Sequence, residues 1–397
     1  MRLAFQTSLL LVCVLLLVNC GGGGGPASGC RGQTGTPAPV FEHVYVSNLL
    51  ERTVAGFSVS ATGTLNKIGQ ASTGGIGSER IVFDPNFNFL YVANKFSSDI
   101  SIYKVDPSTG ALTALAGSPL AVGDPMTDEP IQTIAVHPTG KYLFVANALA
   151  GFWAYSVNST TGALTPVPGT PFLVDAMQPT SIAVHPNGKF LYIAGSSIPS
   201  SITTYSIDVS AGTMGKIGSG AAVSDNPVDM TFDEAGKFLF VVNDPAFGDM
   251  SAASTTVFAV NADTGELTVA PGSPLRTLTL PRAVAVVGSF LYVLDADARQ
   301  LGIYNIGTNG SLTQKSVELL SSMTEPSALA VNGKNRSTRY LYMTDAGSES
   351  VAGTVAAYRV ETSGSLTAIG LPVSTNGTAA SMAVATTSTT PTNPCTQ

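Results

Sequence analysis

From about residue 40 onward the chain alternates apolar and polar positions in short runs, and one run keeps returning. It is an apolar strand that usually closes on Asn or Asp. Val44-Tyr45-Val46-Ser47-Asn48 is followed by Leu90-Tyr91-Val92-Ala93-Asn94 and Leu143-Phe144-Val145-Ala146-Asn147. Further copies start at Leu191, Leu239, Leu291 and Leu341, so the spacings are 46, 53, 48, 48, 52 and 50 residues. A second string follows each copy: an aromatic, a spacer, Val or Ile, and then a Gly-centred turn, as in Tyr103-Lys104-Val105 leading to Thr109-Gly110-Ala111-Leu112. The turn glycines are Gly63, Gly110, Gly162, Gly212, Gly265, Gly310 and Gly364, one per repeat. Period-two alternation on both sides of such a turn predicts a hairpin, with Gly taking the positive φ. A third string precedes the first, as in Pro179-Thr180-Ser181-Ile182-Ala183-Val184-His185-Pro186-Asn187-Gly188-Lys189. Each repeat therefore reads as four antiparallel strands, A to D, and a period near 50 residues is the length of one propeller blade.

The ends of the array predict how it closes. The first repeat starts at strand B, whereas Ala380-Ser381-Met382-Ala383-Val384-Ala385 is an A-like strand with no B after it. Pairing the two completes blade 1 from both termini and leaves no open sheet edge around the ring. The expected fold is all-β: a seven-bladed propeller over residues 41–386, with a C-terminal tail at 387–397.

Composition narrows the partners. Only 11% of the 397 residues are charged, the net charge is −7, and there is no basic run. Nucleic acid is thereby excluded as a partner. A closed acidic ring gives no reason to expect oligomers, and a monomer is expected. Arg2 followed by the ten apolar residues Leu9–Val18 is too short to span a bilayer and fits a targeting signal. Leu17-Val18-Asn19-Cys20 and the five glycines after it resemble the lipobox of bacterial lipoproteins, with Asn19 a departure from the small residue preferred there. This implies a signal peptide over 1–19, lipidation at Cys20 and a Gly-rich tether over 20–40. The protein would then be attached to a membrane in the bacterial cell envelope, facing the periplasm or outer membrane. An ordinary secretory signal is the alternative. In an oxidising compartment Cys30 and Cys395 read either as a disulfide that ties the ends of the ring or as two free thiols.

The strings Pro-x-x-apolar-x-Val-His-Pro-x-Gly-Lys, Leu-Tyr-Val-x-Asn and Thr-Gly-x-Leu resemble the seven-bladed lactonase-like propellers. That group includes 6-phosphogluconolactonases and carboxymuconate-lactonising enzymes, and its repeats overlap with the surface-protein repeats named after Tyr-Val-Thr-Asn. The resemblance implies a lactone hydrolase working in the central funnel, on the face carrying the B–C loops and D–A connections. In that family a fifth-blade strand ends Val-Asn-Glu, and an Arg-His pair follows the Pro that enters strand A of the blade. Here the strand ends Val242-Asn243-Asp244 and the entry reads Asn226-Pro227-Val228-Asp229, with neither Arg nor His.

Lactone opening needs a base to activate water and a cation or donor for the developing oxyanion. Asp244 and Asp229 are the candidate bases. Arg80 and Arg282, with Gln132 and Glu129, are the candidate substrate-binding residues. Asp295, Asp297, Glu325 and Asp345 are further funnel-side carboxylates, read first as caps of strand ends. His137 and His185 sit in A–B turns on the opposite face, and His43 is expected at the surface. Trp153 reads as core. There is no zinc spacing, no phosphate-cradling loop and no Gly-x-Ser-x-Gly elbow, so no metal and no cofactor are expected. The second function class is a non-catalytic envelope propeller that binds a protein, glycan or small ligand.

Overall fold

Strand B carries the most apolar sequence of each repeat, and burial follows: Phe89–Asn94, Tyr142–Asn147 and Phe190–Gly195 are buried along their whole length. The computed structural model describes residues 40–388 except 124–129, 149–150, 176–177, 197–198, 224, 246–252, 334–337 and 349. These residues form seven antiparallel sheets, with A, B, C and D side by side in that order. Blade 1 is completed as expected. Its strand B, Val40–Asn48, pairs with strand C, Thr53–Val59, on one side and with the C-terminal strand, Ala379–Ser388, on the other.

The seven apolar clusters lie between blades rather than within them. Each buries one sheet face against its neighbour, and one of them crosses the closure through Val44, Phe57, Tyr342 and Val355. This is sheet-on-sheet packing wrapped into a ring. The predicted turn glycines all have positive φ, from 70° at Gly212 to 89° at Gly63. Six of them also sit too close to an aromatic or aliphatic side chain for a Cβ: one built on Gly162 would lie 2.5 Å from Phe89 of the preceding blade. The strand B tyrosines complete this joint. Tyr45, Tyr192 and Tyr292 donate to the carbonyls of Gly110, Gly265 and Gly364 in the next blade, at 2.7, 2.9 and 2.8 Å.

The histidines belong to the same joints. His137 Nε2 is 2.7 Å from the Gly188 carbonyl, and His185 Nε2 is 2.8 Å from that of Gly236, each in the following A–B turn. The surface expectation for His43 is overturned: it is buried against Gly110. It stands immediately before the apolar string, where the other blades have Phe89, Tyr142, Phe190, Phe238, Phe290 and Tyr340. Burial holds both His43 and His137 below the usual imidazole value of 6.5. Trp153 is partly buried beside Tyr155 in the cluster between blades 2 and 3.

Candidate functional site

The A strands line the central funnel, and all seven share one irregularity. Their register with strand B shifts near the funnel end, between Ser78 and Arg80, Pro179 and Ser181, Pro227 and Asp229, Pro281 and Ala283, and Pro326 and Ala328. Blades 3 and 1 shift at the matching place, at Thr133 and Ser381. A β-bulge of this kind sets two residues against one and re-aims side chains. The residues just past the bulge are Arg80, Thr133, Ser181, Asp229, Ala283, Ala328 and Ser381, and all seven line one cavity of about 540 Å³. That is within the range of small-molecule sites, roughly 300–1,000 Å³. Five of the seven are small. The two charged ones, Arg80 and Asp229, stand in blades 2 and 5, on opposite sides of the ring.

Asp229 is held from both sides. Its Oδ2 accepts from the Val284 N–H of blade 6 at 3.1 Å, and its Oδ1 from the Ser181 hydroxyl of blade 4 at 3.4 Å. Burial pushes its pKa above the ordinary carboxylate value, and the charge of Arg80 together with these donors opposes that rise. No hydrogen bond joins Arg80 to Asp229 among the described residues, and Arg80 Nε is buried without a partner.

At the mouth, Glu79 is bonded to Lys95 at 2.8 Å. Asp244 ends strand B of blade 5, and burial raises its pKa while the charge of Arg282, which enters strand A of blade 6, opposes the rise. Arg282 and Glu325 are exposed to the same cavity. Arg80 and Asp229 thus line the cavity at one level and Arg282 lines it as well, whereas Asp244, which feels the charge of Arg282, is not among the lining residues.

The remaining candidates separate from these. Gln132 is the bulge residue of blade 3 but is not among the residues lining the cavity. Glu129 lies outside the described residues. Asp295 is fully buried and accepts from Thr279 N and Oγ1, Leu280 N and Ala298 N. Asp345 does the same for Thr324, Glu325 and Gly347. Both are caps that tie a D–A connection to strand B, the role first read for them, and Asp297 is exposed. No group of three His, Cys, Asp or Glu among the described residues could hold a metal ion. What the sequence reading missed was the level of small residues around Arg80 and Asp229. The signal was present: the second residue after each strand A entry is Thr, Ser, Ala, Arg or Asp, in otherwise apolar strands.

Comparison with known proteins agrees with this architecture. A match of 134 residues at 26% identity links the chain to a 6-phosphogluconolactonase of Pectobacterium carotovorum, covering 32% of this chain and only 40% of that protein. The structure of the periplasmic gluconolactonase of Pseudomonas aeruginosa superposes with a TM-score of 0.67 at 17% identity, over 87% of this chain and 99% of that one. A protein from Lactobacillus plantarum gives 0.69 at 15% identity, over 87% and 99%. At such identities the structural likeness speaks for the fold alone. A family model described as "Lactonase, 7-bladed beta-propeller" matches residues 38–127 and 133–287, more than half of the sequence, and the chain belongs to that family.

Proposed function

We propose that this propeller hydrolyses a lactone in its funnel, with Asp229 as the base and Arg80 as the oxyanion partner. One observation carries the reading: a carboxylate and a guanidinium face each other across a level of small residues, coupled in charge but not bonded to each other. Water attacks the lactone carbonyl carbon as Asp229 takes its proton. The carbonyl oxygen becomes the oxyanion and is stabilised by Arg80. When the carbonyl re-forms, the ring C–O bond breaks and the departing oxygen receives the proton from Asp229. The product hydroxy acid then ionises to solvent. Arg282, exposed to the same cavity, holds a polar group of the substrate.

The test is hydrolysis of a panel of sugar and alkyl lactones by the purified protein and by its Asp229→Asn variant. Turnover abolished in the variant supports the reading. Failure to turn over any member would put the ligand-binding propeller ahead, and a ligand screen against the funnel would follow.

Export belongs to the same proposal. Residues 1–39 and 389–397 lie outside the described residues, and with them the signal peptide, Cys20, Cys30, Cys395, most of the Gly-rich tether and all but the start of the tail. Anchoring through Cys20 is supported by the lipobox-like string, and a periplasmic site by the compartment of the gluconolactonase of like fold. Metabolic labelling with palmitate, lost on Cys20→Ser, would test the anchor. A Cys30–Cys395 disulfide is favoured by the pairing of Val40 with Ser388, since the two cysteines lie 10 and 7 residues beyond that pair. Thiol titration of the unfolded protein before and after reduction checks it.

A further inference from the structure

The funnel has an apolar lip on one side. Leu49 and Phe96 line the cavity just past strand B of blades 1 and 2; Phe96 is 56% exposed, and beside them Leu50 and Ile76 are 67% and 42% exposed. Exposed apolar side chains gathered beside a cavity mark a binding surface more often than isolated ones do. This lip is also preformed. Lys95 N donates to Gly77 O at 2.8 Å, Phe96 N to Ile76 O at 3.0 Å, and Ile76 N to Ser97 Oγ at 2.8 Å. The Phe96 ring lies across Gly77, where a Cβ would come within 2.5 Å of it. Gly77, at φ 80° and without a Cβ, lets the ring lie there.

The charges of the funnel point the same way. The three cations that line it, Arg80, Lys95 and Arg282, are matched in number by three carboxylates that line it, Glu79, Asp229 and Glu325, and Lys95 is bonded to Glu79. A phosphate dianion would bring two more negative charges to a lining without net positive charge, and desolvating it there would be unfavourable.

We infer that the substrate is an uncharged lactone bearing an apolar substituent, whose ring sits between Arg80 and Asp229 and whose chain lies on Leu49, Phe96 and Ile76. The inference rests on the lactone-hydrolysis reading, and the experiment separates the two. The probes are δ-hexalactone, δ-dodecalactone, glucono-δ-lactone and the phosphate ester of the last. Turnover is measured for each, and binding is followed in parallel as protection of the protein against thermal unfolding. The expected result is that kcat/KM for δ-dodecalactone exceeds that for δ-hexalactone by at least about tenfold, because each methylene laid on an apolar surface leaves water. Phe96→Ser should bring that ratio toward one. Leu371→Ser, at an exposed site on the outer strand of blade 7, should leave the ratio unchanged. Equal rates for the two alkyl lactones, or the phosphate ester as best substrate, would overturn the inference while leaving hydrolysis intact. Chain-length-dependent binding without turnover would keep the lip and sink the hydrolysis. With neither binding nor turnover, both fall.

Discussion

The two faces of this ring are built from different kinds of residue. On the face of the A–B and C–D turns, the residues are those the repeats share. The histidines of blades 3 and 4 reach the glycine carbonyl of the next A–B turn, tyrosines reach that of the next C–D turn, and each C–D turn has its glycine at positive φ. On the funnel face, at the level of the bulges, the charged positions do not repeat. Arg80 has Thr133, Ser181, Ala283, Ala328 and Ser381 as its counterparts in five other blades, and only blade 5 answers with a charge, at Asp229. In a repeat protein, what recurs makes the interfaces between units, because each blade must dock on the next in the same way. What occurs once is free of that constraint and can carry chemistry.

Substitutions can break this division or sharpen it. The largest effect is expected from the funnel pair. Asp229→Asn should lower lactone kcat/KM by roughly 10²–10⁴, while its amide oxygen can still accept from Val284 N and the ring melts nearly as before. If instead the melting temperature falls and turnover survives, Asp229 belongs with the joints between blades. Arg80→Leu should cost roughly 10²–10³ in kcat, and it carries a pH signature. The base must be ionised, so the rate rises with pH through the raised pKa of Asp229; removing Arg80 removes the attraction that holds this pKa down and moves the limb to higher pH.

On the other face, Gly162→Val should cost about 3 kcal/mol or more, since it combines φ of 72° with a clash on Phe89. Denaturant unfolding measures the loss, and kcat/KM below the transition should stay unchanged. His137→Ala should cost about 1–3 kcal/mol at neutral pH. The folded imidazole resists protonation, whereas the unfolded one takes a proton near 6.5. Its contribution is therefore complete above that value and fades as pH falls toward the lowered pKa, so the gap between wild type and variant should narrow in acid. Smallest is Tyr292→Phe, about 1 kcal/mol for one hydrogen bond to Gly364, because Phe144 and Phe240 already occupy the matching places of blades 3 and 5.

Much of this was legible before any coordinates. Strand order, blade number, the turn glycines and the completion of blade 1 by the C-terminal strand all follow from periodicities of two and of about 50 residues, because local alternation and turn chemistry are properties of short segments. His43 was readable as well. It holds the aromatic position of its string, and a strict alignment of the seven copies would have placed it inside.

What the sequence could not settle is which charges meet. Arg80 and Asp229 are 149 residues apart in the sequence, and both reach the cavity because every A strand bulges at the same level and the ring closes after seven blades. Asp295 and Asp345 hold the place of Asn243 in blade 5, one residue before Asp244, and there they cap the preceding connections, where Thr279 and Thr324 donate to them. The repeat determined the scaffold, since each blade docks by contacts its own sequence contains. The site was decided only by closure, which sets residues from distant blades on one axis and leaves their burial and charge to fix what each can do.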